Sequence, residues 1–243
     1  MPLICPYQNP DDPTYKEARA SVTFSASTIP DLLGVGYISA QKRILYDRGD
    51  EEFAPNQYVK DIMQRGKDYE PIAAQALEKE WFEDAGCSFA ETGFWSCPAY
   101  PSLIGATPDR LMLDRDLNLW SVEIKVPLNP HEISVFDMKW LRYRIQLEVQ
   151  MRCVDACVKG ILFIYNVNDP DNSQLWECLP DDELWDLIVK KAKYWKTYRD
   201  DAVGAPLPKT IRGTKMEEIM EWAEKKKKGK DEALVNSMNK FHF

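Results

Sequence analysis

The chain has 243 residues, 44% of them apolar, with eight tryptophans and a formal net charge of −8. That length and apolar content suffice for a core in one domain, 1–243, and exclude a chain disordered beyond its ends. No apolar run is long enough to span a bilayer, and residues 1–13 lack the basic and apolar regions of a secretory signal, so a protein of the cytoplasm or nucleus, not secreted, is expected.

In chain order, residues 1–20 begin proline-rich and turn helical around Tyr15 to Arg19. Ser27 is placed to cap a second helix carrying Ile29, Leu32 and Leu33, which Gly34-Val35-Gly36-Tyr37 breaks. Residues 39–47 read as helix and 48–56 as a polar loop. From 57 to 85 the helical pattern is strong: Ile62, Ile72, Ala73, Ala76, Leu77 and Trp81 form an apolar stripe, and Gly86 follows as a stop. Pro71 interrupts the pattern, so either a new helix starts near Tyr69 or the long helix kinks. Strands are expected at 93–97, 103–113 and 119–126, the last two joined by a turn at Asp114-Arg115-Asp116. Residues 134–156 read as a long helix with Tyr143, Gln146 and Gln150 on one face, and with Cys153 and Cys157, one turn apart, as small core residues. Strands at 161–166 and 174–179 then pair as a hairpin. A helix from Asp181-Asp182-Glu183 to about Arg199 and another over 213–228 close the chain, the last ending in a lysine run that reads as a solvated helix end. The order predicts an α/β fold: a mixed central five-stranded sheet flanked by helices, with a core over about 19–200 and a helical extension over about 205–243.

Asp109 closes the run Gly105-Ala106-Thr107-Pro108-Asp109, and the next strand carries Ser121-Val122-Glu123-Ile124-Lys125-Val126. Alternate side chains of a strand point to opposite faces, so Val122, Ile124 and Val126 can enter a core while Glu123 and Lys125 emerge together. Two carboxylates and an ammonium at one point suit phosphodiester hydrolysis, the acids holding a hard Mg²⁺ and the lysine orienting or activating a water. Other centres lack their parts. The two histidines, His131 and His242, make histidine-metal nucleases and serine triads poor candidates; the six cysteines contain no Cys-x-x-Cys pair; and no P-loop is present, so no ATP is expected. The acidic total argues only weakly against a nucleic-acid partner, because the local surface decides and metal-binding acids count as negative until their ions arrive.

Taken in order, Gly66-Lys67-Asp68-Tyr69-Glu70, Pro108-Asp109, Glu123-Ile124-Lys125 and Tyr143-Arg144-Ile145-Gln146 resemble the PD-(D/E)xK nuclease superfamily with its restriction-endonuclease-like core. More closely they resemble the phage and viral alkaline exonucleases, the lambda-exonuclease or YqaJ-like viral recombinase family, over about 19–168. The resemblance implies Asp109, Glu123 and the Ile124 carbonyl as ligands of Mg²⁺, or of Mn²⁺. It implies Glu70 at a second ion or its water, Lys125 beside the nucleophilic water, and Gln146 holding that water or the phosphate. It further implies that Arg19, Ser25 and Ser27 grip a 5′-phosphate, that Thr107 adds a hydroxyl, and that Met63 parts the terminal base pair. No iron–sulfur cluster is expected. The implied activity is 5′-to-3′ digestion of linear double-stranded DNA, leaving 3′ single-stranded tails for an annealing or recombination protein, by a homo-oligomer that in relatives is often a ring trimer.

Each residue alone has a plainer reading. Asp109 can cap a turn, Glu123 and Lys125 can be a solvated strand face, and Glu70 can favour a helix N-terminus. Two other functions also fit: a structure-specific or restriction-type endonuclease or RNA-cleaving relative, since one core serves several, and a catalytically silent DNA- or protein-binding module.

Overall fold

A computed structural model of the chain describes residues 3–6, 8–9, 11–82, 85–208 and 216–229. In chain order the elements are β1 (Leu3–Cys5), α1 (Pro13–Ala20), β2 (Phe24–Ser25), α2 (Ile29–Leu32), α3 (Ala40–Arg48), α4 (Gln57–Ala76), β3 (Ser88–Ala90), β4 (Phe94–Ser96), β5 (Ile104–Ala106) and β6 (Arg110–Leu113). They continue with β7 (Leu119–Lys125), α5 (Met138–Cys153), β8 (Cys157–Ile164), β9 (Gln174–Cys178), α6 (Asp182–Arg199) and α7 (Glu217–Gly229). A five-stranded mixed sheet is present as expected, in the order β3-β6-β7-β8-β9, with β7 and β8 parallel and the other pairs antiparallel, but the strand expected at 93–97 lies in the second sheet and β3, which the sequence reading did not place, takes the edge. A second mixed sheet, β1-β4-β5-β2, stands beside it. Its strands are two or three residues long, too short to show a period in the sequence.

Strand alternation in the larger sheet sorts the two cores. Trp120, Val122 and Ile124 of β7, with Ile161 and Phe163 of β8, pack against Ala73, Ala74, Leu77 and Trp81. On the opposite face Leu162 and Ile164 of β8 meet Trp140, Leu147 and Met151 of α5, and α2, α3, α6 and α7 extend that core. Glu123 follows Val122 and therefore faces α5. None of the described helices is long and apolar enough to cross a membrane.

Several boundaries differ from the sequence reading. The strand expected over 103–113 is two strands in different sheets, and Thr107-Pro108-Asp109 is the crossing between them. Pro108 has no N–H to give a ladder, so the pairing stops there. Pro71 lies inside one helix and starts no new one. It is exposed, as is Lys67 four residues before, so the carbonyl that loses its helical partner stays open to water. The helix then continues as a π turn, Leu77–Trp81. Ile62 and Ile72 are exposed and not part of a buried stripe, because α4 packs on the sheet only through its last turns. Ser27 does not cap α2: Thr28 holds that position, without a side-chain cap. Helix α5 starts after its cap Asp137 and ends at Cys153, so Cys157 opens β8 and is not one helical turn from Cys153. Residues 209–215 and 230–243 of the expected C-terminal extension lie outside the described residues. In α7, Lys225 and Lys226 pair with Glu183 at 2.7 Å and Asp181 at 2.6 Å.

Candidate active site

Strand β7 delivers Glu123 and Lys125 on one face, as the alternation requires. Glu123 is fully buried, with its Oε1 ion-paired to the Lys125 ammonium and its Oε2 accepting from Gln150 Nε2. Oε1 takes no hydrogen bond of regular geometry beyond that pair. Gln150 is itself anchored: Ser121 Oγ donates to its Oε1 at 3.2 Å, and its Nε2 also reaches the Thr107 carbonyl at 3.4 Å. The Lys125 ammonium lies 5.5 Å from the centroid of the Tyr143 ring on α5.

Asp109 joins this group because β6 begins one residue after it. Its backbone N–H donates to Val122 O at 3.1 Å, and its Oδ2 accepts from Ile124 N at 2.7 Å. The carboxylate thus takes the place of the missing ladder partner of β7 and brackets Glu123 from the strand edge. Arg110 Nη1 returns to the Asp109 carbonyl at 2.6 Å. Glu70, on α4, lies near enough for its charge to be felt by Asp109.

The electrostatics follow from three acids facing one ammonium. Burial raises the Asp109 carboxyl well above its ordinary range, and the Glu123 and Glu70 charges push it the same way, against Lys125. Glu70 is raised by burial and then by Glu123, opposed by Lys125 and Arg110. Burial works against the Lys125 charge, but Glu123 and Asp109 outweigh it and hold the ammonium above its ordinary value.

The donor set suits a hard divalent cation: carboxylate oxygens, a neighbouring peptide carbonyl, and excess negative charge in a buried setting. Among the described residues, no three acid, histidine or cysteine side chains stand together in a ready-made coordination cluster. The carboxylates instead hold protein partners, Asp109 the Ile124 amide and Glu123 the Lys125 and Gln150 groups.

A second cluster lies on the small sheet. Arg19 Nη2 reaches Ser25 Oγ at 3.4 Å, and Ser25 Oγ lies 3.1 Å from Ser27 Oγ. Thr107 connects the two clusters. Its Oγ1 is 3.0 Å from the hydroxyl of Tyr15, four residues before Arg19 on α1, while its carbonyl receives Gln150. Two expected residues stand apart. Met63 is 51% exposed on α4, two turns before Glu70. Gln146 is half-buried, and none of its side-chain atoms bonds to the acids. Gln150, one turn later on the same face, makes that contact. Sequence alone could have proposed it at i+4, but not chosen it over Gln146. Tyr15 and Arg110 carried no signal.

This fold is that of the nuclease-fold exonucleases. An alkaline exonuclease from Laribacter hongkongensis superimposes with a TM-score of 0.56 at 20% identity, covering 88% of this chain and 97% of that one. The same enzyme in complex with dAMP gives 0.55 at 19%, with 88% and 97% covered. A phage-related exonuclease from Haemophilus somnus 129PT gives 0.52 at 14%, covering 74% and 94%. No curated protein matches by sequence. The profile of the YqaJ-like viral recombinase domain matches residues 14–156, more than half of the chain. The chain belongs to that family.

Proposed function

We propose that this protein is a metal-dependent deoxyribonuclease, a 5′-to-3′ exonuclease on linear double-stranded DNA that prefers 5′-phosphate ends and leaves 3′ single-stranded tails. The observation that carries the reading is the fully buried Glu123, shared between Lys125 and Gln150 and flanked by two carboxylates of raised pKa. A protein has no stability reason to crowd three acids around one ammonium, whereas a cation site does.

Asp109, Glu123, Glu70 and the Ile124 carbonyl would hold Mg²⁺ or Mn²⁺, in two ions. Bound there, such ions polarise the phosphate and lower the pKa of water. Lys125 steadies charge growing on the nonbridging oxygens, and its pairing with Glu123 keeps the ammonium protonated for that task. Gln150 fixes Glu123 in place, and Gln146 remains free to meet water or phosphate. Arg19, Ser25 and Ser27 offer a guanidinium and two hydroxyls to a terminal 5′-phosphate. Thr107 ties that grip to the acids, so end recognition and cutting share one frame. Exposed Met63 supports a wedge at the terminal base pair. Family membership supports a homo-oligomer, a ring trimer, acting with a single-strand annealing or recombination protein in the cytoplasm or nucleus.

The test is digestion with Mg²⁺ of linear duplexes bearing a 5′-phosphate or a 5′-hydroxyl, beside supercoiled circles. Loss of phosphorylated linear DNA from its 5′ ends, intact circles and arrest by EDTA are expected. Equal cutting of circles and linear DNA, or preference for 5′-hydroxyl ends, would overturn the reading.

A further inference from the structure

The loop between α2 and α3 carries a large aromatic side chain in the open. Tyr37 is 75% exposed, yet it is held on several sides. The Arg142 guanidinium lies 3.8 Å from its ring centroid, and Arg142 Nε donates to Val35 O at 3.1 Å. The Tyr37 side chain neighbours Tyr143, the residue whose ring lies beside the Lys125 ammonium. Behind the ring the loop is clamped. Asp31 accepts from the Ile38 amide at 3.3 Å and is gripped by Arg43 at 2.9 and 2.8 Å. A Cβ on Gly36 would fall 1.8 Å from Asp31 Oδ1, so the tight approach demands glycine.

Fixing an exposed ring costs side-chain entropy with little burial in return. Backing it with a guanidinium leaves one flat face turned outward, a single tyrosine away from Lys125. Nucleobases stack on such faces whatever their sequence, and a cation behind the ring strengthens the stack. We propose that Tyr37 is a stacking platform for a nucleobase of the strand being cut, next to the phosphate held at Lys125, with Arg142 as its brace. The assignment rests on the nuclease reading above, and it adds a base-binding subsite that positions the strand.

The plain alternative is that Tyr37 only shields Arg142 and Tyr143. Tyr37→Leu keeps a shield but cannot stack, while Tyr37→Phe keeps the ring and loses the hydroxyl. On linear duplexes with an abasic spacer scanned through the first nucleotides of the degraded strand, wild type should show a KM rise of about tenfold at one position. Tyr37→Leu should show that rise on intact DNA and no further rise with the spacer, at unchanged kcat. Tyr37→Phe should follow wild type. In EDTA, 2-aminopurine scanned through the same positions should be quenched by wild type and Tyr37→Phe but not by Tyr37→Leu. An intact KM and intact quenching in Tyr37→Leu would overturn the platform while leaving the nuclease standing. Absence of any digestion by wild type would overturn the nuclease reading, and the quenching comparison would still decide the stack.

Discussion

Asp109 and Lys125 sit in the same cluster but should affect stability in opposite directions. The carboxyls of Asp109 and Glu70 are raised in the folded chain, first by burial and then by neighbouring acids. A raised carboxyl binds more protons folded than unfolded. Its contribution to stability is therefore full below the ordinary carboxylate range and is lost as pH rises through the folded value. In EDTA, the melting temperature should climb as pH falls from neutral toward, but not into, that ordinary range. Below it, acids with lowered values such as Asp181 titrate and reverse the trend. Asp109→Asn keeps an acceptor for the Ile124 amide and removes a charge. At neutral pH without metal it should raise the melting temperature by about 2–4 °C per kcal/mol of repulsion relieved, while abolishing digestion. Lys125→Met leaves Glu123 buried without its cation and should lower the melting temperature. Scanning fluorimetry of the three proteins checks this, and a melting temperature that falls in Asp109→Asn would count against it.

Among the elements, α5 and β8 approach most closely where the site depends on them. A Cβ on Gly160 would meet three side-chain atoms of Leu147, the nearest at 2.8 Å. Leu147 stands about one turn before Gln150, which the same helix presents to Glu123. Gly160→Ala should cost about 1–3 kcal/mol in urea unfolding, from overpacking alone. An unchanged midpoint would mean that the interface yields freely. The same pair of elements marks what the sequence could tell. The Glu123–Lys125 face was legible because a strand's period of two shows within six residues. The choice of Gln150 was not, because Gln146 and Gln150 share a helical face and only packing on the sheet sets their height. The break at Thr107-Pro108 was hidden because apolar residues continue on both sides of it. Ile62 and Ile72 misled because a helical stripe shows which residues share a face, not how far the partner surface extends.

For the whole molecule, a net charge of −8 would repel DNA if it were spread evenly. Part of it is concentrated in the acid cluster and would be offset by bound cations, while under the proposed function Arg19, Arg142 and Lys125 would face the strand. The proposed function turns on one statement: Asp109, Glu123 and Glu70 would together hold a divalent cation. Burial and crowding favour the protonated forms of Asp109 and Glu70, so cation binding there would release protons. The decisive measurement is titration calorimetry of Mn²⁺ into wild type and Asp109→Asn at mildly acidic pH, in two buffers of different ionisation enthalpy. Wild type should bind Mn²⁺ with heats that depend on the buffer, reporting protons released, and Asp109→Asn should lose both the binding and that dependence. Equal binding by the two proteins, or no binding by wild type, would contradict the account.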